Sequence, residues 1–167
     1  YMVTYVFPAD YLKKYNSLLD KKIYDMELDR RRTARDKVKK IYKYICTNVE
    51  YCKKTENSAT APGAFLENKA NCKGFAELMF DMCNKAGVKC AVIYGSTESA
   101  SGEATDHAWN IVKVGNKWYN VDCSWDAGKS KYKYFLKTDE YFRQYKHYRY
   151  KTFFSRAFIS EHKMQKN

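Results

Sequence analysis

The 167-residue sequence has only two prolines and seven glycines, too few for a flexible linker or a low-complexity chain. It has no run of about 18 apolar residues, so no segment is predicted to span a membrane. Its six cysteines form no C-x-x-C pair and match no zinc-site spacing. These absences leave a globular chain that is long enough to bury one core.

The domain organisation is predicted from composition and pattern. The chain begins at Tyr1 with YMVTYVF, which alternates like a short strand or an extended arm. We therefore expect a domain excised from a longer protein, for which an extracellular or cell-surface location is favoured. We predict one domain over 1–167, with a helical N-terminal extension at 1–32, a core at about 33–140 and a basic, Tyr-rich segment at 141–167.

The positive charge is concentrated near the end of the chain. The net charge is +12, and residues 129–167 hold eleven Lys or Arg against three Asp or Glu. A basic, Tyr-rich stretch could attract nucleic acid through phosphate contacts and base stacking. No nucleic-acid-binding module accompanies the charge, so we expect a solvated lysine-rich surface and no nucleic-acid partner.

Hydrophobic periodicity predicts helices in the first half of the chain and strands in the second. Apolar spacings of three and four indicate helices over about 9–29 and 33–48, a helical turn near 64–68, and a helix from Cys72 to Gly87. The segments VKCAVIYGS, HAWNIVKV, KWYNVDCSW and YKYFLK read as strands, the first ending near Gly95, and residues 138–148 as helical. We predict an α+β fold in which N-terminal helices and the Cys72 helix pack on an antiparallel sheet.

Cys72 is the candidate nucleophile. Asn71 is suited to cap the helix that follows, which places Cys72 in the first turn. Unpaired backbone N–H groups and the helix dipole favour a thiolate there, and the same N–H groups can bind an oxyanion. Cys46, Cys83 and Cys123 suit small apolar core positions, and a disulfide between Cys83 and Cys90 is an open alternative.

His107 and Asp122 are the candidate partners of the thiol. If Gly115 and Asn116 form a two-residue hairpin turn, Trp109 opposes Asp122 and His107 lies diagonal to Asp122 on one face. Diagonal neighbours lie about 7–8 Å apart at their Cα atoms, within reach of an imidazole and a carboxylate. Such a carboxylate would orient the imidazole, which acts as base toward the thiol.

Three motifs in this order resemble the transglutaminase-like superfamily, whose core is the papain-like cysteine peptidase fold. They are C-K-G-F-A at 72–76, H-A-W-N at 107–110 and W-Y-N-V-D-C-S-W-D at 118–126, and DKVKKIYKYICTNVEYCK resembles the helix that precedes them. Asn71 departs from the small or apolar residue expected before the cysteine. The resemblance covers about 33–140.

The resemblance implies a Cys72–His107–Asp122 triad that transfers acyl groups from amide bonds of a protein or peptide. Peptidase or amidase hydrolysis is favoured, protein-glutamine transglutaminase activity is close behind, and a catalytically idle module that binds protein or cell-wall polymer is the alternative. No cofactor or metal is implied. The oligomeric state stays open.

Several other side chains are assigned lesser roles. Asp126 is a rival carboxylate that reads as a turn residue, whereas Trp109 and Trp125 either wall a substrate groove or pack in the core. His147 and His162 fall in the basic terminal segment and receive no role.

Overall fold

A computed structural model of the chain describes residues 7–28 and 33–150. Within these ranges the chain forms six helices and six strands: α1 (Ala9–Asp25), α2 (Ala34–Asn48), β1 (Glu50–Tyr51), α3 (Ala61–Leu66), β2 (Lys69–Ala70), α4 (Cys72–Lys85), β3 (Cys90–Glu98), β4 (Ala104–Val114), β5 (Lys117–Val121), α5 (Cys123–Asp126), α6 (Asp139–Gln144) and β6 (His147–Arg149). The predicted α+β class is confirmed. Nearly all of the YMVTYVF segment lies outside the described residues. No helix in the described ranges is long and apolar enough to cross a bilayer.

The main sheet has the strand order β5-β4-β3-β6, and every neighbouring pair is antiparallel. Helix α4 packs on β3 and β4, and α1 and α2 pack against α4. The main apolar core lies between these helices and the sheet, with Leu19 from α1, Ile41 from α2 and Met79 from α4 among its fully buried members. Strands β1 and β2 form a separate parallel pair just before α4.

Helix α1 ends four residues earlier than predicted. Glu27 has a φ of 53°, and Leu28 N–H donates to the Ile23 carbonyl while Glu27 N–H donates to that of Tyr24. This is the hydrogen-bond pattern of a Schellman cap, in which a left-handed residue turns the chain out of the helix. Leu28 is fully buried after the turn, so its burial supports the early end.

Helix α4 begins and ends where the sequence predicts. The Asn71 side chain accepts hydrogen bonds from Lys73 N–H and Gly74 N–H, which confirms its assignment as the cap. At the other end, Gly87 has a φ of 72° and Val88 N–H donates to the Cys83 carbonyl. Cys72 is therefore the first residue of the helix.

Strand β3 continues past Gly95, where the sequence predicted its end. Gly95 pairs with β4 on one side and with β6 on the other. A Cβ at this position would come within 2.2 Å of the Tyr148 carbonyl oxygen and 2.7 Å of the Trp109 ring. The glycine therefore permits close approach of β6 and does not end the strand.

The hairpin register is confirmed, but its second strand is shorter than predicted. Val114 pairs with Lys117 and Asn110 with Val121, as a turn at 115–116 requires. Strand β5 ends at Val121, so the expected cross-strand pair of Trp109 and Asp122 does not form. The chain instead begins α5, whose cap is Asp122.

The prediction that YKYFLK is a strand is wrong. It contributes only an isolated bridge between Lys137 and Asn120. The buried carboxylate of Asp126 accepts hydrogen bonds from Lys133 N–H and Tyr134 N–H, at 3.0 and 2.8 Å. These backbone donors are thus used by a side chain and not by a strand partner.

The predicted helix at 138–148 is only partly correct. The Thr138 side chain caps α6, which ends at Gln144. Lys146 has a φ of 61°, and the chain then enters β6 and pairs with β3. The turn at Lys146 brings His147 into the interior, where its exposed fraction is 2%.

Candidate active site

The Cys72 sulfur lies at the entrance of α4 and is only partly buried. Burial opposes ionisation of the thiol, but hydrogen bonds from the His107 ring and from Ala108 N–H, together with the charge of His107, hold the Cys72 pKa below its ordinary value. A thiol in this setting is biased toward the nucleophilic thiolate.

The His107 ring joins Cys72 to Asp122. Its Nε2 lies 2.6 Å from Oδ2 of Asp122, which leaves Nδ1 for the sulfur. Burial lowers the pKa of an imidazole, but the carboxylate and the thiolate outweigh that effect and raise the His107 pKa to about 10. The raised pKa favours the imidazolium form of the ring, and a charged ring in turn favours the thiolate of Cys72.

Asp122 is held by hydrogen bonds on both carboxylate oxygens. Its Oδ1 accepts from Ser124 N–H, Ser124 Oγ and Trp125 N–H, at 3.0, 2.7 and 3.2 Å. Burial would favour the neutral acid, yet the two imidazoles of His107 and His147 hold the Asp122 pKa well below its usual range. The carboxylate is thus charged, fixed and 99% buried.

His147 belongs to this cluster, which the sequence analysis missed. Its Nε2 lies 3.1 Å from the same Oδ2 of Asp122, and its Nδ1 lies 3.1 Å from the Tyr145 carbonyl oxygen. We had assigned it to a basic, solvated segment. Strand β6 has only three residues, which is too short for a hydrophobic period that would have marked His147 as buried.

The remaining candidates separate into core and groove. Asp126 is no surface turn residue, because it is fully buried and accepts a hydrogen bond from the Tyr42 hydroxyl at 2.8 Å. Trp109 is 1% exposed and packs in the core, with its indole N–H donating to Asn120. Trp125 is partly exposed, and its ring lies 5.7 Å from that of His107.

His107, Asp122 and His147 also place three possible metal-ligand atoms within 4.8 Å of one another. Two ligands on one tetrahedral zinc ion, each about 2.0–2.1 Å from it, lie about 3.3 Å apart. The 2.6 Å between His107 Nε2 and Asp122 Oδ2 is shorter and suits a charge-assisted hydrogen bond. The geometry is that of a hydrogen-bonded cluster.

An open groove of about 1200 Å³ leads to the sulfur. Its lining includes Cys72, His107 and Trp125 together with charged side chains of both signs: Glu50, Lys53, Lys73, Glu98, Asp106 and Lys129. A chain of amide groups could therefore approach a reactive thiol through a polar rim.

The fold and these three motifs agree with one protein family. The sequence model of the transglutaminase-like superfamily matches residues 24–123, which include Cys72, His107 and Asp122. The chain belongs to the transglutaminase-like superfamily. The match begins before the 33–140 predicted for the resemblance and stops ahead of α6 and β6. The domain boundaries stay a prediction.

Two curated relatives of this transglutaminase-like chain are kyphoscoliosis peptidases. It is 34% identical to the human protein over 123 residues, which is 66% of this chain and 18% of that protein. It is 35% identical to the mouse protein over 106 residues, 56% of this chain and 16% of that one. The chain thus spans less than a fifth of the length of the relatives it matches.

Two solved structures share the fold. One, described as a TGase, superposes with a TM-score of 0.60 and 20% identity over 81% of this chain and 37% of that chain. The other, a candidate cysteine protease from Cytophaga hutchinsonii, gives a TM-score of 0.55 and 22% identity over 71% of this chain and 43% of that one. At these identities the likeness concerns the transglutaminase-like fold alone.

Proposed function

We propose that this transglutaminase-like chain hydrolyses amide bonds of a protein or peptide through Cys72, His107 and Asp122. The observation that carries the proposal is the continuous contact from the Cys72 sulfur through the His107 ring to the Asp122 carboxylate at the base of an open groove. Nucleophile, acid–base and orienting group are then all within hydrogen-bond reach.

In the acylation half, the Cys72 thiolate attacks the amide carbonyl carbon and a C–S bond forms. The oxyanion meets the α4 entrance, where Asn71 occupies the N–H groups of Lys73 and Gly74 and leaves that of Cys72 as a donor. His107 Nδ1–H gives its proton to the amide nitrogen as the C–N bond breaks. The amine leaves, and the acyl group remains on sulfur as a thioester.

In the deacylation half, His107 Nδ1 takes a proton from water as the water oxygen attacks the thioester. The C–S bond breaks, a carboxylic acid leaves, and the thiolate–imidazolium pair is restored. Asp122 stays ionised throughout and keeps the ring in one orientation. General acid–base transfer of this kind contributes about 10²–10⁴-fold in rate.

The relatives support two acceptors for the acyl group. Similarity to kyphoscoliosis peptidases favours water, and the fold of a TGase keeps a primary amine as the second candidate. The partly exposed sulfur favours hydrolysis, because water has access to a thioester at this position. A binding module with an idle triad is the alternative in which neither acceptor reacts.

The test is a screen of peptide and protein amides with and without a primary amine, on the wild type and on Cys72→Ala. We expect release of a new carboxylate and ammonia or amine from the wild type, and a loss of at least about 10³-fold in kcat for Cys72→Ala. Product identified by mass separates hydrolysis from amine incorporation.

The matched control is Cys52→Ala, which removes another partly buried thiol outside the triad. It should retain wild-type turnover. Equal rates for wild type and Cys72→Ala would refute the enzymatic assignment and leave the binding module. Exclusive incorporation of the amine would replace hydrolysis by transamidation.

A further inference from the structure

His147 lies outside the family match yet contacts the carboxylate of the site. The match ends at residue 123, and His147 is supplied by β6, which the sheet holds beside β3. The side chain is fully buried and is not part of the groove lining. Its role must therefore pass through another residue and not through substrate.

Oδ2 of Asp122 is shared by two imidazoles. The Nε2 atoms of His107 and His147 lie 2.6 and 3.1 Å from it. An ionised carboxylate has no proton to give, so each ring nitrogen contacts it as a donor. Two ring nitrogens thus meet the same oxygen, and rotation of the carboxylate would break at least one of these hydrogen bonds.

The other nitrogen of His147 fixes the ring itself. Nδ1 faces the Tyr145 carbonyl oxygen at 3.1 Å, which is also only an acceptor. Five aromatic rings surround the imidazole, the nearest being those of Trp125 and Phe142 at centroid distances of 4.4 and 4.5 Å. This packing restricts rotation of the imidazole and keeps Nε2 directed at Asp122.

We propose that His147 is a positioning residue for Asp122, holding the carboxylate in line with His107 and drawing part of its negative charge away. The inference rests on the proposed function of Cys72, His107 and Asp122. A donor removed from Asp122 leaves more negative charge facing His107 and Cys72. That change disfavours the Cys72 thiolate and favours the His107 imidazolium. The acid midpoint of the pH–activity profile, set by Cys72, and the alkaline midpoint, set by His107, therefore both rise.

The groups that titrate near His147 are few. Asp122 faces it from the start of α5, His107 from β4, and Tyr134 from the loop that follows α5. Burial and neighbouring charges raise the Tyr134 pKa to about 12, so this phenol stays neutral over the range tested. Shifts in the profile therefore report on Cys72, His107 and Asp122.

The experiment compares His147→Gln, His147→Asn and His147→Phe in the full chain. Glutamine extends an N–H to about the position of Nε2, whereas asparagine is too short and phenylalanine has no donor. We measure iodoacetamide alkylation of Cys72 against pH, which needs no substrate, and the pH profile of kcat/KM. Phe142→Leu is the packing control, because it loosens the same cluster without removing a donor.

For His147→Asn and His147→Phe we expect the acid midpoint of Cys72 alkylation to rise by about half a unit or more. We also expect kcat to fall about tenfold or more with little change in KM, because the orientation of His107 is lost and the groove is not. His147→Gln should stay close to the wild type. Phe142→Leu should unfold more easily but keep the wild-type midpoints.

Unshifted midpoints in both His147→Asn and His147→Phe would overturn the proposal. It would also be overturned if His147→Gln, His147→Asn and Phe142→Leu lost activity to the same extent, since that pattern would indicate a role in packing alone. A wild-type Cys72 without enhanced reactivity would instead refute the proposed function, so the two failures are distinguishable.

Discussion

At the scale of single residues, burial and pairing with a charged neighbour shift the pKa values of the same groups in opposite directions. Burial disfavours the charged forms of Cys72, His107 and Asp122, whereas the neighbouring partner shifts the pKa of each group toward its charged form. The resulting thiolate–imidazolium pair has a defined pH window. It forms above the lowered Cys72 pKa and is lost as pH rises through about 10, where His107 loses its proton.

This window predicts the alkylation behaviour of Cys72. At about pH 6 we expect Cys72 to react with iodoacetamide at least tenfold faster than an ordinary thiol with a pKa of about 8.5. His107→Gln removes the hydrogen bond and charge that favour the thiolate, so its rate at pH 6 should fall toward that of an ordinary thiol. Peptide mapping after brief labelling measures the rate at each cysteine.

Cys52 supplies the internal comparison, because it is also partly exposed but has no such partner among the contacts described. If Cys72 and Cys52 titrate together in the wild type, the ion pair does not exist in solution.

At the scale of elements, capping side chains explain where the structure follows the sequence and where it departs. Asn71 caps α4 as its residue type predicts, and Thr33 and Thr138 cap helices whose starts lie close to those predicted, although neither was predicted as a cap. Asp122 is also a cap, but the apolar residues around it read as a strand. The helix that it starts has only four residues, too few for a periodic signal.

Asp126 provides the prediction at this scale. Its carboxylate anchors the segment after α5 through two backbone N–H groups and the Tyr42 hydroxyl. Asp126→Ala leaves these buried donors without an acceptor, and we expect the free energy of unfolding to fall by about 3 kcal/mol. Urea denaturation measures the change.

Tyr42→Phe is the matched variant, because it keeps the carboxylate and removes one donor that Asp126 shares with the Asp122 carbonyl oxygen, at 2.8 and 2.7 Å. Its cost should be only about 1 kcal/mol. Equal losses for both variants would contradict the view that Asp126 holds the loop.

At the scale of the whole molecule, the site depends on how the last described strand packs on the sheet. Strand β6 is adjacent to β3 because Gly95 allows the Tyr148 carbonyl to approach. The same strand supplies His147. The main-chain packing of residues 95 and 148 is thereby linked to the environment of Asp122.

Gly95→Ala tests this linkage. The added Cβ would overlap the Tyr148 carbonyl and the Trp109 ring, so β6 must move away. We expect a loss of about 1–3 kcal/mol in stability, as for overpacked cores, and lower Cys72 reactivity at pH 6. Amide hydrogen exchange should increase at the β6 pairs, including the Ser96–Tyr148 pair.

Ser130→Ala, in the exposed segment after α5, should leave both stability and reactivity nearly unchanged. Unaltered exchange at β6 in Gly95→Ala would contradict the packing argument.

By itself the sequence determined the features that depend on neighbours along the chain. Residue type and spacing predict helix α4 with its cap and C-terminal turn, and the register of the 114–117 hairpin. They also give the three family motifs, which identify Cys72, His107 and Asp122 as candidates. Tertiary structure alone decided that Asp126 is buried and that His147 meets Asp122. Those outcomes depend on contacts between segments distant in sequence, such as Asp122 and His147, which are 25 positions apart, and no local period or motif encodes such contacts.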